Sequence, residues 1–351
     1  MSYLFGEKIN KYNLRKRIGD LSQIAGAKLY ELKDGKAKGM TAIDINTGSG
    51  LNFTILPDRA MDLAWATYKG IPLSYISKVG LSNPAYLEKG KFSRNFTAGL
   101  LTTCGLTQIG TQCEDDGELL EQHGRINKIP AHNISINNNW INENEYIMKI
   151  EGKVRESTLF KENLLLTREI KAKLGENKIV IKDKVRNCGF NNQPFMLLYH
   201  FNFGYPLVSK NTNFILPKTK VTPRDKIAEK GIDKYSSFQN PTHNYQEQVF
   251  YHELKSNNKG MTFVGLYNKD LGENGIGVNI KFNVNQLEKF IEWKQMGEEE
   301  YVVGLEPATW YPEGRAKARR KNELEFIKPG ETKNFELELE IVEKEPKNII
   351  S

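Results

Sequence analysis

No run of apolar residues in this sequence approaches the ~18 that a membrane-spanning helix requires, which excludes a helical anchor within it. The opening segment, MSYLFGEKINKYNLRKRIG, is basic but is not followed by an apolar stretch, so no secretory signal is predicted. Cysteine is scarce. The three present, Cys104, Cys113 and Cys188, are odd in number and lack CxxC spacing. Neither a disulfide framework nor a zinc knuckle is therefore expected, and free thiols in a reducing cytoplasm are. Helical periodicity is scarce, and internal repeats, low-complexity linkers and any βαβ rhythm are missing. The excess of one charge is small: 50 basic against 43 acidic residues, a net +7. Most basic residues are interleaved with acids and no nucleic-acid-binding signature accompanies them, so neither nucleic acid nor membrane is an expected partner.

What is present is a period of two. Leu51, Phe53 and Ile55 alternate with polar residues. The same holds for Tyr146, Met148 and Ile150, for Leu164, Leu166 and Ile170, for Ile276, Val278, Ile280 and Phe282, and for Phe335, Leu337, Leu339 and Ile341. Alternation sends one face of each strand to a core and the other to water, the mark of half-buried antiparallel strands. Turn signals separate them at Lys33-Asp34-Gly35, at Gly272 to Gly275 and at Pro329-Gly330. A short helix is predicted within 12–25, and 284–296 is ambiguous. The expectation is an all-β chain: one large antiparallel β sandwich with few short helices, residues 1–351 forming a single domain. Residues 206–250, rich in Pro, Asn and Lys, read as a long loop over the sheet, where binding residues tend to sit. The tail from Glu343 to Ser351 is expected to fray.

Three segments do not read as plain sheet. Residues 99–131 carry five glycines and set His123 and Arg125 on either side of Gly124. Residues 197–207, LLYHFNFGYPL, hold His200 and Asn202 among aromatics. Residues 302–315, VVGLEPATWYPEGR, put Glu306 between an apolar strand and a proline. Taken singly, His200 is as readily a core residue as a functional one, His123 a turn residue, and Glu306 an exposed strand-end carboxylate. Arg59 and Asp62, in DRAMD, are either a structural ion pair or ligands for a hydroxyl or carboxylate. The basic run Arg315-Ala-Lys-Ala-Arg-Arg-Lys321 is either a solvated loop or a seat for an anionic group.

Together the three segments resemble the galactose mutarotase superfamily of aldose 1-epimerases. The matching positions are His123-Gly124, His200-Phe201-Asn202 and Leu305-Glu306-Pro307, with ELEFIKPGETKNFELELEIV similar to the closing turn and strand. ILPDRAMDLA, GLLTTCGLTQIG, HGRINKIPA, LLYHFNFGYPL and GLEPAT more closely resemble a mutarotase-like subfamily, domain of unknown function 4432, over roughly residues 40–340. The resemblance implies a carbohydrate substrate and no cofactor, with Glu306 as catalytic base, His200 as acid, and His123 beside the ring. It leaves Arg125, Arg59, Asp62 and Asn202 as candidate substrate-binding residues. Trp310, Trp293, Phe203 or Tyr205 could offer a face to the sugar. Glu306 and His200 are expected on opposite sides of a space wide enough for a pyranose. The same scaffold could serve a non-catalytic carbohydrate-binding protein. His123, His200 and Glu306 could also meet at a metal, although no HExxH-type spacing supports that, and no metal is expected.

Overall fold

The alternation seen in sequence becomes two large sheets packed face to face. In this computed structural model, residues 2–88, 90–217 and 219–345 are described. Pro346 to Ser351, the end of the tail expected to fray, lie outside the described residues, whereas Glu343 pairs with Lys69.

The first sheet has eight strands in the spatial order His132–Asn142, Glu145–Ser157, Asn163–Lys173, Lys178–Asn187, Thr332–Val342, Ile276–Asn283, Met261–Asn268 and Thr212–Ile215. Its long strands bury every second residue: Met148 and Ile150 face inward, while Lys149 and Glu151 face out. The outward row is a charge lattice. Lys178 meets Glu338 at 3.0 Å, Lys182 meets Glu336 at 3.1 Å, and Lys281 meets Glu340 at 2.8 Å. Such cross-strand pairs favour this register and occupy the basic residues of this face.

The second sheet has eleven strands. Ten run in the order Thr219–Pro223, Gln248–Leu254, Lys289–Met296, Tyr301–Ala308, Met196–Gly204, Leu101–Leu106, Asp62–Tyr68, Leu51–Leu56, Thr41–Asn46 and Gly26–Glu31, and Ile71–Pro72 pairs with Asp62–Tyr68. One face joins the core shared with the first sheet, through residues such as Phe201, Leu305 and Phe290. The other face is covered in its middle by loops and by a smaller cluster that includes Met196, Leu198, Ile291 and Ala308. The strand Met196–Gly204 is therefore buried along its whole length.

Helices are few: four of four to six residues among the described residues. The helix expected within 12–25 is reduced to Lys11–Arg15 and a 3-10 turn at Leu21–Gln23. The ambiguous 284–296 contains the strand Lys289–Met296. The expected loop over 206–250 is more ordered than its composition suggests, with strands at Thr212–Ile215 and Thr219–Pro223 and a helix at Lys226–Glu229.

Asp62 is not a ligand position. It lies in the inter-sheet core, where it accepts Thr103 N at 3.0 Å and Thr103 Oγ1 at 2.6 Å and pairs with Arg168 at 3.2 Å. Arg168, fully buried on the opposite sheet, also grips Asp183 through two hydrogen bonds of 2.9 and 2.7 Å. Tyr199 closes the network by donating to Asp183 at 2.7 Å. Burial pushes the Asp62 carboxyl up, opposed by Arg168 and Thr103. Arg59 is also buried and donates to the Ser82 carbonyl at 3.3 Å, so of the two readings the structural one describes this pair, with Arg168 of the opposite sheet as the direct ion partner of Asp62.

Candidate active site

The site grows from strand register. Met196–Gly204 and Tyr301–Ala308 are neighbours, with Leu198 opposite Ala308 and Phe201 opposite Leu305. That register sets His200 across from Glu306. Leu305 and Phe201 point into the inter-sheet core, so Glu306 and His200 point to the other face. Directly opposed side chains on an antiparallel pair are close enough to touch. They do touch: His200 Nε2 lies 3.2 Å from Glu306 Oε1, both residues being at most 5% exposed. The expectation that they stand on opposite sides of a pyranose-sized space is thus corrected; they form one contiguous pair. Gly304 makes the room. A Cβ there would meet Glu306 Oε1 at 2.7 Å, Trp293 Cβ at 3.0 Å and His200 Cε1 at 3.2 Å.

His123 arrives on a loop instead of a strand. Its backbone is left-handed, at φ 59°, and Gly124 follows at φ 71°. A Cβ on Gly124 would meet Gly105 O at 2.4 Å and Gln108 O at 2.5 Å, which is why glycine stands there. His123 N donates to Gly110 O at 2.8 Å and Arg125 N to Gly105 O at 3.1 Å, tying the loop to the sheet. Gly110 N–H approaches His123 Nδ1 at 3.4 Å, so the ring's other nitrogen is free for a ligand. The His123 and His200 rings meet edge to face, their centroids 5.9 Å apart.

The loop is held by the segment that follows Glu306. Gly110 backs onto Pro312, and Thr111 N donates to Pro312 O at 3.2 Å. Beyond it, the helix Arg315–Arg320 carries the basic cluster. Arg315 Nε and Arg319 Nε each donate to Asp115 at 2.7 Å, one to each carboxylate oxygen. Lys317 pairs with Glu313 at 2.7 Å. The cluster is therefore helical, and its Arg315 and Arg319 are engaged with Asp115 instead of an anionic substrate. It is an ion-paired buttress under the His123 loop. Arg125 shares this fate: its guanidinium meets Glu118 at 3.1 Å, Glu162 at 2.8 Å and Glu156 at 3.7 Å, and does not line the cleft. Asn202 is wholly buried and braces Gly99 and His200 through its Nδ2, away from the lining.

The cleft itself is bounded by His123, His200 and Glu306, with Phe92, Phe96 and Trp293 as aromatic walls and Arg224 and Glu247 at its rim. Of the four aromatics considered in sequence, only Trp293 lines it. Phe203 is in the inter-sheet core, Trp310 is buried beside Tyr311, and Tyr205 is 73% exposed. Arg224 and Glu247 carry no motif; they come from the 206–250 excursion, whose position is the only signal for them in the sequence. Glu247 accepts Trp293 Nε1 at 2.7 Å and Arg224 at 3.0 Å, fixing the indole plane.

Burial governs the protonation of this group. It lowers His123 to about 4 and drives His200 well below its ordinary value, with His123 adding to the effect. It raises Glu306 well above its ordinary value, helped by Glu247 and opposed by Arg224. Both shifts disfavour charge, so burial weighs against an ion pair between Glu306 and His200. Among the described residues, no three His, Cys, Asp or Glu side chains are arranged to hold a metal ion. Cys104, Cys113 and Cys188 are free, and no helix there is long and apolar enough to cross a membrane.

Comparison with known proteins agrees with this architecture. The structure resembles a proposed aldose 1-epimerase from Klebsiella pneumoniae subsp. pneumoniae MGH 78578 at a TM-score of 0.85 and 25% identity, over 95% of this chain and 86% of that one. It also resembles a galactose mutarotase-like protein from Clostridium acetobutylicum (TM-score 0.59, 17% identity, 91% and 99% of the two chains). A galactose 1-epimerase from Lactobacillus acidophilus shares the fold at TM-score 0.57 and 13% identity, over 91% and 99%. No curated protein matches. The family model described as Domain of unknown function (DUF4432) matches residues 37–341, and with its galactose mutarotase-like fold the chain belongs to that family.

Proposed function

We propose that this protein is an aldose 1-epimerase-type isomerase that interconverts the anomers of a sugar by acid–base catalysis at Glu306 and His200. The observation that carries the reading is the buried 3.2 Å contact between these two groups, opening on a cleft with aromatic walls. The resemblance to proteins named as epimerases supports it. So does the continuity of the inter-sheet core, which favours reading the chain as one mutarotase-like domain.

The chemistry asks for such a pair. Opening a pyranose needs the anomeric hydroxyl to lose a proton while the ring oxygen gains one. Both oxygens are bonded to C1, so donor and acceptor must reach neighbouring atoms of one bound sugar. Two groups in mutual contact meet that demand better than two groups across a ring. The C1 carbonyl then turns about its bond to C2, and closure reverses both transfers. Trp293 offers an apolar face to the sugar, held in place by Glu247, while Arg224 and His123 can hydrogen-bond hydroxyls. The test is exchange between anomers, read by magnetization-transfer NMR against a panel of neutral and phosphorylated sugars. Exchange above the buffer rate for at least one sugar supports isomerase action. Saturable binding without acceleration would make the protein a sugar-binding protein instead.

A further inference from the structure

One aromatic side chain on the outer face of the second sheet plays no part in the cleft. Trp65, on the strand Asp62–Tyr68, stands 40% exposed. A bulge puts it there. Phe53 pairs with Ala66 and Ile55 with Leu63, so Thr54 alone opposes both Ala64 and Trp65. Leu63 and Ala66 both face the inter-sheet core although they are three positions apart. The extra residue breaks the alternation and turns the indole outward instead of into that core.

The strands beside Trp65 supply hydrogen-bonding groups on the same face. Register sets Lys28 and Thr54 opposite Asp44, and Asn46 opposite Asn52. Ile43, Ile45, Leu51 and Phe53 fill the core face, so the residues between them face out. Gly26, opposite Asn46, leaves the floor open: a Cβ there would meet nothing within 4 Å. Together with Trp65 these residues line a cavity of about 320 Å³, within the range of small-molecule clefts. None of them lines the cleft of His200 and Glu306.

Several of these groups keep hydrogen-bonding capacity. Asp44 accepts Tyr30 Oη at 2.9 Å and Thr54 Oγ1 at 2.5 Å, both on Oδ1, which leaves Oδ2 open. Asn46 Oδ1 accepts Gly48 N at 2.8 Å, leaving Nδ2 to donate. Asn52 Nδ2 donates to Gly50 O at 3.3 Å, leaving Oδ1 to accept. Lys28 has no ion-pair partner among the described residues, although Asp44 is its cross-strand neighbour. One cation and one anion balance each other across the cavity, which suits a neutral polar ligand and not a phosphorylated one. A pyranose matches both parts of this surface. It has an apolar face of C–H groups to lie on an indole, and a rim of hydroxyls that donate and accept.

We propose that this cavity is a saccharide-binding site separate from the cleft, in which Trp65 stacks on a neutral sugar ring and Asp44, Asn46, Asn52 and Lys28 hold its hydroxyls. It stands independently of the epimerase reading. The ring is either a free monosaccharide or one unit of a longer saccharide chain, since both present the same chemistry.

The indole N–H signals of the intact 15N-labelled protein test this directly, with Trp65 identified by its absence from Trp65→Phe. Galactose, glucose, maltotetraose and cellotetraose are titrated into the millimolar range, with glucose 6-phosphate as the anionic comparison. The Trp65 signal should shift saturably with at least one neutral sugar and more weakly with the phosphate. Tighter binding of a tetraose than of its monosaccharide identifies a chain, and equal binding a single ring. Asp44→Asn keeps the Oδ1 acceptor for Tyr30 and Thr54 and should weaken the Trp65 response roughly 10-fold. Glu306→Gln should leave it unchanged. A Trp65 signal that none of the neutral sugars moves, or a shift undiminished in Asp44→Asn, overturns the site. So does a shift lost in Glu306→Gln, which would place the binding in the cleft. A sugar that moves the Trp293 signal alone bears only on the cleft, and failure of anomer exchange leaves a saturable Trp65 response standing.

Discussion

His200 Nε2 and Glu306 Oε1 face each other at 3.2 Å across two adjacent antiparallel strands, and this single contact organises the site. It exists because His200 and Glu306 occupy opposed positions of one register and the residue two before Glu306 is glycine. Gly304 should thus be sensitive in an unusual way. In Gly304→Ala the new Cβ falls 2.7 Å from Glu306 Oε1, and the mobile carboxyl end yields before the backbone does. The expected outcome is a loss of roughly 10²-fold in anomer exchange, from misplacement of a catalytic group. Stability should fall by only about 1–3 kcal/mol, measured by denaturant unfolding.

The raised Glu306 carboxyl also predicts how stability depends on pH. A folded-state value above the ordinary 4.5 means the native protein keeps a proton that the unfolded chain releases. Stability then falls as pH rises from the unfolded value toward the folded one, by at most about 1.4 kcal/mol per pH unit for one proton. Glu306→Gln removes this loss. Relative to wild type, the variant should gain stability over that window in urea titrations at a series of pH values. A difference that does not change with pH would mean Glu306 is ionised when folded.

The ion clamp in the core makes a separate prediction. Arg168 is fully buried between Asp62 and Asp183. Arg168→Met leaves two carboxylates buried without their cation, which should cost about 3–5 kcal/mol. Thermal unfolding of the purified variant checks it; a change under about 1 kcal/mol would contradict the clamp.

Under the His123 loop, Arg315 and Arg319 share Asp115, whose carboxyl they hold below its ordinary value, Arg319 most strongly. That stabilisation is present above the unfolded carboxylate value and is lost as pH falls through the folded one. Asp115→Asn should remove this part of the acid sensitivity. Neutralising Arg315 and Arg319 together should lower stability and affect neutral and phosphorylated sugars alike. A selective loss of phosphorylated-sugar binding would restore the cluster as an anion seat.

Much of this molecule is legible in the sequence where one residue's environment repeats along a strand. Alternation in Glu145–Ser157 and Thr332–Val342 marks strands with one wet face. It fails for Met196–Gly204, which is covered on both faces, and there the resemblance of LLYHFNFGYPL is the only guide. His123, His200 and Glu306, separated by 77 and 106 residues, are marked by motif and do line one cleft. What the sequence hides is pairing. Asp62 meets Arg168, Arg315 meets Asp115, and Arg125 meets Glu162, each through contacts far apart in the chain. A charge beside a motif looks free until the register supplies its partner. Arg224 and Glu247 escape notice for the converse reason: nothing local distinguishes them from other surface charges in the 206–250 stretch.

Proton transfer at the Glu306–His200 pair is tested most sharply by anomer exchange in Glu306→Gln, measured by magnetization transfer on the sugar that wild type turns over fastest. Glutamine keeps the shape of the side chain and removes the transferable proton. Exchange should fall toward the buffer rate, a loss of about 10²-fold or more, while the sugar still binds. Undiminished exchange in a folded, sugar-binding Gln variant would contradict a catalytic role for Glu306.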